Sequence, residues 1–137
     1  MLDRRGFTLI ELMVVIVVIG ILAIMGTMNF TTMRNRAMEA SVKANGHAGQ
    51  LAVEAYAAAN FGTYPPAATA LADIQAQLPG GAIFKNPFSG ADGLSVGAGP
   101  AEGMVDYQDP TAMGDPQHYR LDCYGNGGGL LLGLSNG

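Results

Sequence analysis

The chain is poor in the groups from which most catalytic and metal sites are built. It has one cysteine, Cys123, and no tryptophan. A lone cysteine excludes an intrachain disulfide and a Cys-rich metal framework. It is either a small buried hydrophobe or a thiol open to intermolecular pairing, and burial is the simpler expectation. The only histidines are His47 and His118. His47 has no carboxylate or thiol at a useful spacing. His118 and Cys123 lie an odd number of positions apart on one expected strand, so they face opposite ways and make no local nucleophile–base pair. The run Gly125-Asn126-Gly127-Gly128-Gly129 precedes a strand and lacks the lysine of a phosphate-binding loop. No enzyme and no cofactor are expected.

Proline is missing from the whole front of the chain. All seven prolines lie from Pro65 onward, and so do 15 of the 20 glycines, counted from Gly62. The chain therefore divides near residue 61 into a breaker-poor front and a breaker-rich back. Basic residues are scarce in the back: beyond residue 61 there are seven acids against two bases, Lys85 and Arg120. A phosphate backbone asks for a basic patch, so nucleic acid is not expected as a partner.

What is present is a long apolar run. Phe7 to Met28 carries one charge, Glu11. At 1.5 Å per residue a helix over that run is about 33 Å long, enough to cross a bilayer core. The apolar region of an ordinary secretory signal is shorter, about 7–15 residues. Arg4 and Arg5 precede the run, and the next base is Arg34. The positive-inside bias then sets the N-terminus in the cytoplasm and everything after residue 30 outside. Glu11 is the anomaly. A carboxylate in hydrocarbon is costly and normally has a partner; otherwise it must reach the nearby headgroups. Composition alone leaves both open.

Apolar or small residues continue at Phe30, Met33, Ala37, Ala40, Ala44, Ala48, Leu51, Ala55 and Ala58, every third or fourth position. That is the spacing of an amphipathic helix. Glu39 and Lys43 are an i,i+4 pair in the favourable order. Asn60, Gly62 and Pro65-Pro66 supply stop chemistry. The expectation is one helix of about 54 residues, far beyond ordinary globular length. Its small-residue stripe is expected to pack both on the chain's own back half and on other copies, because so long a helix has more faces than one small domain can cover. Further on, a short helix is expected over about Ala67–Leu78. Loop follows through "FKNPFSGADG". Three strands come next, over Met104–Gln108, His118–Tyr124 and Leu130–Leu134. The fold class is α+β, with a small antiparallel sheet of about three strands packed on the second half of the helix.

The order "RRGFTLIEL", followed by an apolar run containing Gly20-Ile21-Leu22-Ala23, resembles the processing signal of type IV pilins and type II secretion pseudopilins. The resemblance implies a leader over residues 1–6, removed by a prepilin peptidase between Gly6 and Phe7, and N-methylation of Phe7. It implies a transmembrane and filament-core helix over 7–28, an amphipathic continuation over 29–61, and a C-terminal globular region over 62–137. It also gives Glu11 a role in assembly, opposite the new amine of a neighbouring subunit. The partners implied are identical subunits in a filament, the peptidase, an inner-membrane assembly platform and the membrane itself. The subunit would wait in the bacterial inner membrane and end in an extracellular pilus or a periplasmic pseudopilus.

Two departures matter. Many members of the family have proline where Met28 stands, in a stretch that loosens on assembly; here any loosening would rest on Gly20 and Gly26. Many pilins close a C-terminal loop with a disulfide, which one cysteine cannot do. "FKNPFSG" and "YRLDCYGNGG" look like the loop and penultimate strand of short pilins and of major pseudopilins. The latter often bind calcium through aspartates near the end of the sheet. The corresponding turn here, Asn126 to Gly129, has no acid, so calcium would need Asp106, Asp109, Asp115 or Asp122. That leans toward a pilin. A major pseudopilin driving protein export is the alternative. A monomeric membrane-anchored periplasmic binding domain is a third reading, which leaves Gly6-Phe7 and the partner of Glu11 unexplained.

Overall fold

The computed structural model describes residues 6–109 and 117–136, with Met28 described by its backbone alone. Asp115 and the leader residues before Gly6 therefore lie outside the described residues. The first helix, α1, spans Leu9–Ala59 and is continuous across the apolar run. Leu9 to Met25 presents only exposed side chains. This part of α1 belongs to a unit ending at Asn35; a second unit begins at Arg36.

In the second unit, α1 leads to α2 (Ala70–Gln77) and to a sheet of four strands: β1 (Leu94–Val96), β2 (Val105–Gln108), β3 (Arg120–Tyr124) and β4 (Leu130–Ser135). The strands lie in sequence order. The β2–β3 and β3–β4 pairs are antiparallel, with Tyr107 opposite Leu121 and Cys123 opposite Leu132. The β1–β2 pair is parallel. The sheet is thus mixed and has one more strand than the sequence suggests. β1 is only three residues long and sits between glycines, so it carries no readable alternation. The short helix starts three residues later than expected and ends one residue sooner. Thr69 stands at its N-cap, and the Thr69 Oγ1 donates to Asp73 Oδ2 at 2.6 Å.

The core lies between α1 and one face of the sheet. Val42, Ala52, Val53 and Ala57 from α1 meet Val105, Tyr107, Tyr119, Leu121 and Cys123, with Ile74 of α2 closing one side. The face of α1 that does this is not the expected stripe. Ala37, Ala40, Ala44, Leu51, Ala55 and Ala58 are exposed, and of that series beyond Asn35 only Ala48 packs against the core. The buried face instead runs through Val42, Gly46, Gly49, Val53 and Ala57. The reason is closeness of approach. A Cβ at Gly46 would collide with the Cys123 sulfur, and one at Gly49 would touch Leu121 and Phe84. The helix lies so near the sheet that at Gly46 there is room only for hydrogen, while a Cβ at Gly49 would make ordinary contact. The Glu39–Lys43 pair does not close to ion-pair distance; among the described residues the salt bridges are Lys85–Asp92 and Arg120–Asp122, at 2.6 and 2.7 Å.

Candidate processing and assembly site

The start of α1 is built by two side chains. Thr8 is the residue before the helix, and Glu11 is the third residue in it. The Thr8 N–H donates to Glu11 Oε2 at 2.9 Å, and the Thr8 hydroxyl donates to the same oxygen at 2.8 Å. The Glu11 N–H in turn reaches Thr8 Oγ1 at 3.3 Å. This is a reciprocal capping box, in which two N–H groups that the helix cannot satisfy bond to side chains instead. The signal Thr-x-x-Glu stands in the sequence, although the reading of Glu11 as an assembly residue passed over it.

Glu11 is also set in an apolar neighbourhood. It shares its part of the helix surface with Phe7, Ile10, Val14 and Val15. Both Thr8 bonds fall on Oε2, so Oε1 has no hydrogen-bond partner among the described residues. Gly6 and Phe7 precede the cap in extended or irregular backbone, outside the helix, and Phe7 is exposed. The Gly6–Phe7 bond in that setting is accessible, whereas one inside the helix would first have to unwind. Gly20 and Gly26 lie within α1, and nothing approaches the position of a Cβ at either. They are therefore not packing glycines like Gly46.

The remaining candidates are placed as follows. Asp106, wholly buried, accepts four hydrogen bonds: from Ser95 Oγ at 2.6 Å, Gln108 Nε2 at 2.7 Å, and the Ala98 and Gly99 N–H groups at 3.0 Å each. Those donors occupy the oxygens a hard cation would need. Asp122 stands directly across from it and is held by Arg120 at 2.7 Å. Asp109 accepts from the Ala67 N–H at 3.2 Å. Among the described residues no three His, Cys, Asp or Glu side chains gather as a metal site. Cys123 is buried, as expected, and burial pushes its thiol up to about 11, with the Asp122 charge adding to the effect. His118 is exposed.

Two polar anchors were beyond reach of the sequence. Glu54 Oε1 accepts from the Tyr119 hydroxyl at 2.8 Å, linking α1 to the residue just before β3. Asn86 donates to the Glu102 carbonyl at 2.7 Å and accepts from the Phe88 N–H at 2.8 Å, tying two loops together. The Glu54–Tyr119 and Asn86–Glu102 bonds join residues distant in the chain and leave no local pattern, whereas the Asn86–Phe88 bond is local.

By length and composition α1 is apolar enough to cross a membrane, and its first half is exposed while its second packs on a small α+β domain. Residues 1–27 match the model of the prokaryotic N-terminal methylation motif. That motif is the hallmark of the prepilin-type signal, and it supports a type IV pilin-like or pseudopilin-like subunit processed by a prepilin peptidase. The motif and the apolar helix fit membrane anchoring before assembly. No curated protein and no solved structure matches the chain.

Proposed function

We propose that the chain is a type IV pilin-like structural subunit. A prepilin peptidase cuts between Gly6 and Phe7, the new amine of Phe7 is methylated, and the subunits polymerise through α1 into a helical filament at an inner-membrane platform. Before the cut, Arg4 and Arg5 hold the N-terminus in the cytoplasm and the domain beyond the apolar run lies in the periplasm. The observation that carries this reading is the apolar half of α1. Leu9 through Met25 is exposed on every side, with a single carboxylate near its start. Such a surface requires lipid or other copies.

The half-used carboxylate of Glu11 fits the second environment. The cut turns the Phe7 nitrogen into an amine that is charged near neutral pH, its reference pKa being about 7.7–8.0. On one helix that amine lies about a turn from Glu11 along the axis. A staggered neighbour brings its own amine to Oε1, and a pair formed in an apolar medium is costly to break, which suits the setting of register.

The experiment is microscopy of sheared material from producing cells, with mass determination of the mature N-terminus. Long extracellular fibres of a chain beginning at methylated Phe7 are expected. A different N-terminus sinks the reading. Absence of fibres together with failed export of folded proteins in a deletion strain replaces it with the pseudopilin role.

A further inference from the structure

The face of the sheet away from α1 holds a polar cleft that filament assembly through α1 leaves unused. Side chains alternate across a strand, so Tyr107, Leu121 and Cys123 point into the core while Gln108, Arg120, Asp122 and Tyr124 share the other face. With Gly99 and Pro100 those four line a cleft of about 420 Å³. That is the small end of the roughly 300–1,000 Å³ usual for small-molecule sites, and the lining is polar where such sites are mostly apolar. One wall is held in place from beneath. Buried Asp106 accepts from the Ala98 and Gly99 N–H groups at 3.0 Å each, which fixes the loop that carries Gly99 and Pro100. The floor is a fixed pair: Arg120 Nε donates to Asp122 Oδ1 at 2.7 Å. Opposite Asp122 on β4 stands Gly133, and a Cβ there would come within 3.3 Å of Asp122 Oδ1 and 3.7 Å of Arg120 Nη2. A glycine inside a strand often marks the approach of another group, and this one leaves the pair uncovered.

Several polar groups in the cleft are unspent. The Arg120 Nη groups, Asp122 Oδ2, Gln108 Oε1 and the Tyr124 hydroxyl enter no hydrogen bond among the described residues. Their chemistry selects the ligand. A guanidinium only donates, a carboxylate or amide oxygen only accepts, and a phenol does both. A ligand hydroxyl also does both, so two neighbouring hydroxyls can accept from Arg120 and donate to Asp122. Charge narrows the choice. An anionic ligand would face Asp122 with Asp106 behind it, and a cationic one would face Arg120. We propose that this cleft binds a neutral sugar. Arg120 and Asp122 read a pair of adjacent hydroxyls, Gln108 and Tyr124 add further bonds, and the exposed Pro100 ring meets the sugar's C–H face. The cleft is open to water, whose hydrogen bonds compete, so a dissociation constant on the order of 1 mM is expected.

The test is saturation-transfer NMR on the full-length chain in a detergent without sugar groups. The probes are glucose, galactose, mannose and N-acetylglucosamine, each at about 10 mM, roughly ten times the expected dissociation constant. Glucuronate and the amino acid glycine serve as charged controls. Two variants address the cleft. Arg120→Lys keeps the charge and loses the planar fork, and Gly133→Ala puts a methyl over the Arg120–Asp122 pair. Lys85→Ala, in a loop whose lysine pairs with Asp92, is the control away from the cleft. At least one neutral sugar is expected to bind wild type and Lys85→Ala alike, and to bind both cleft variants at least about tenfold more weakly, the effect of losing one charge-assisted bond. Melting temperature reports folding. Arg120 is exposed and Gly133 lies on an edge strand, so if one variant unfolds the other decides. No transfer to any neutral sugar overturns the proposal. So does equal transfer to wild type and the folded cleft variants, which puts the sugar elsewhere. A stronger response to glucuronate or glycine than to every neutral sugar also overturns it, because the cleft would then read charge.

Discussion

At the residue scale, the proposed function gives Glu11 two separable tasks. One of its oxygens closes the capping box with Thr8, and its charge is free to meet an amine. Glutamine serves the cap as well as glutamate does, but carries no charge. Glu11→Ala loses both tasks and Glu11→Gln loses only the second. Both variants are expected to be inserted and cut, and both to give filament yields at least about tenfold below wild type if the charge pair sets register. Normal yield from Glu11→Gln with a defect in Glu11→Ala would assign Glu11 to the cap alone. Gly46 offers a second test. Gly46→Ala forces a methyl against the Cys123 sulfur, at a cost of about 1–3 kcal/mol, the usual range for overpacking. In denaturant unfolding, the double variant with Cys123→Ala should lose less than the sum of the two singles, because the sulfur that causes the clash is gone.

The elements differ in how openly the chain announces them. α1 was legible end to end, since a run without proline and with helical spacing has few other solutions. Its partner face was not. Alanines at three and four marked a stripe, but the face that packs is chosen by the distance between helix and sheet. That distance selected Gly46, whose mid-helix position was the overlooked signal: a glycine there costs about 1 kcal/mol unless close approach requires it. Gly20 and Gly26 meet no neighbour, so the same cost applies to them without that return. Gly20→Ala with Gly26→Ala should stiffen α1 by about 1 kcal/mol per site. If assembly loosens the helix there, the pair will slow filament growth while leaving cleavage at Gly6 unchanged, as read by a time course of polymer and mature chain. Equal growth would show that the helix polymerises without loosening at the glycines.

For the molecule as a whole, the core is rich in weak acids held neutral. Burial raises Tyr107 and Tyr119 well above the ordinary phenol value of 10.0, and raises Tyr64 and Tyr124 in the same direction; for Tyr119 the bond to Glu54 adds to the shift. Cys123 rises from 9.0 to about 11. The folded chain thus keeps protons that the unfolded chain releases. Stability from these groups is complete below about pH 9 and falls as pH climbs toward and through the folded values. The denaturant midpoint of the detergent-solubilised chain should be flat from about pH 7 to 8.5 and drop steadily above about pH 9.5. A midpoint that rises over that interval would contradict the buried placement of the tyrosines.

The methylation motif over residues 1–27 was readable because its meaning is local. A basic pair, a glycine, an aromatic and an acid at fixed spacing act on one segment, and no distant contact is needed to define them. The helix was readable for the same reason, as was the existence of a small sheet beyond Pro65. Tertiary structure alone decided which face of α1 is buried, that β1 pairs in parallel, that Glu54 bonds to Tyr119, and that Asp106 is saturated by its own neighbours. Each of these depends on groups brought together from distant positions. Such partnerships are selected by fit and distance in the folded chain, which the order of residues along one segment does not specify.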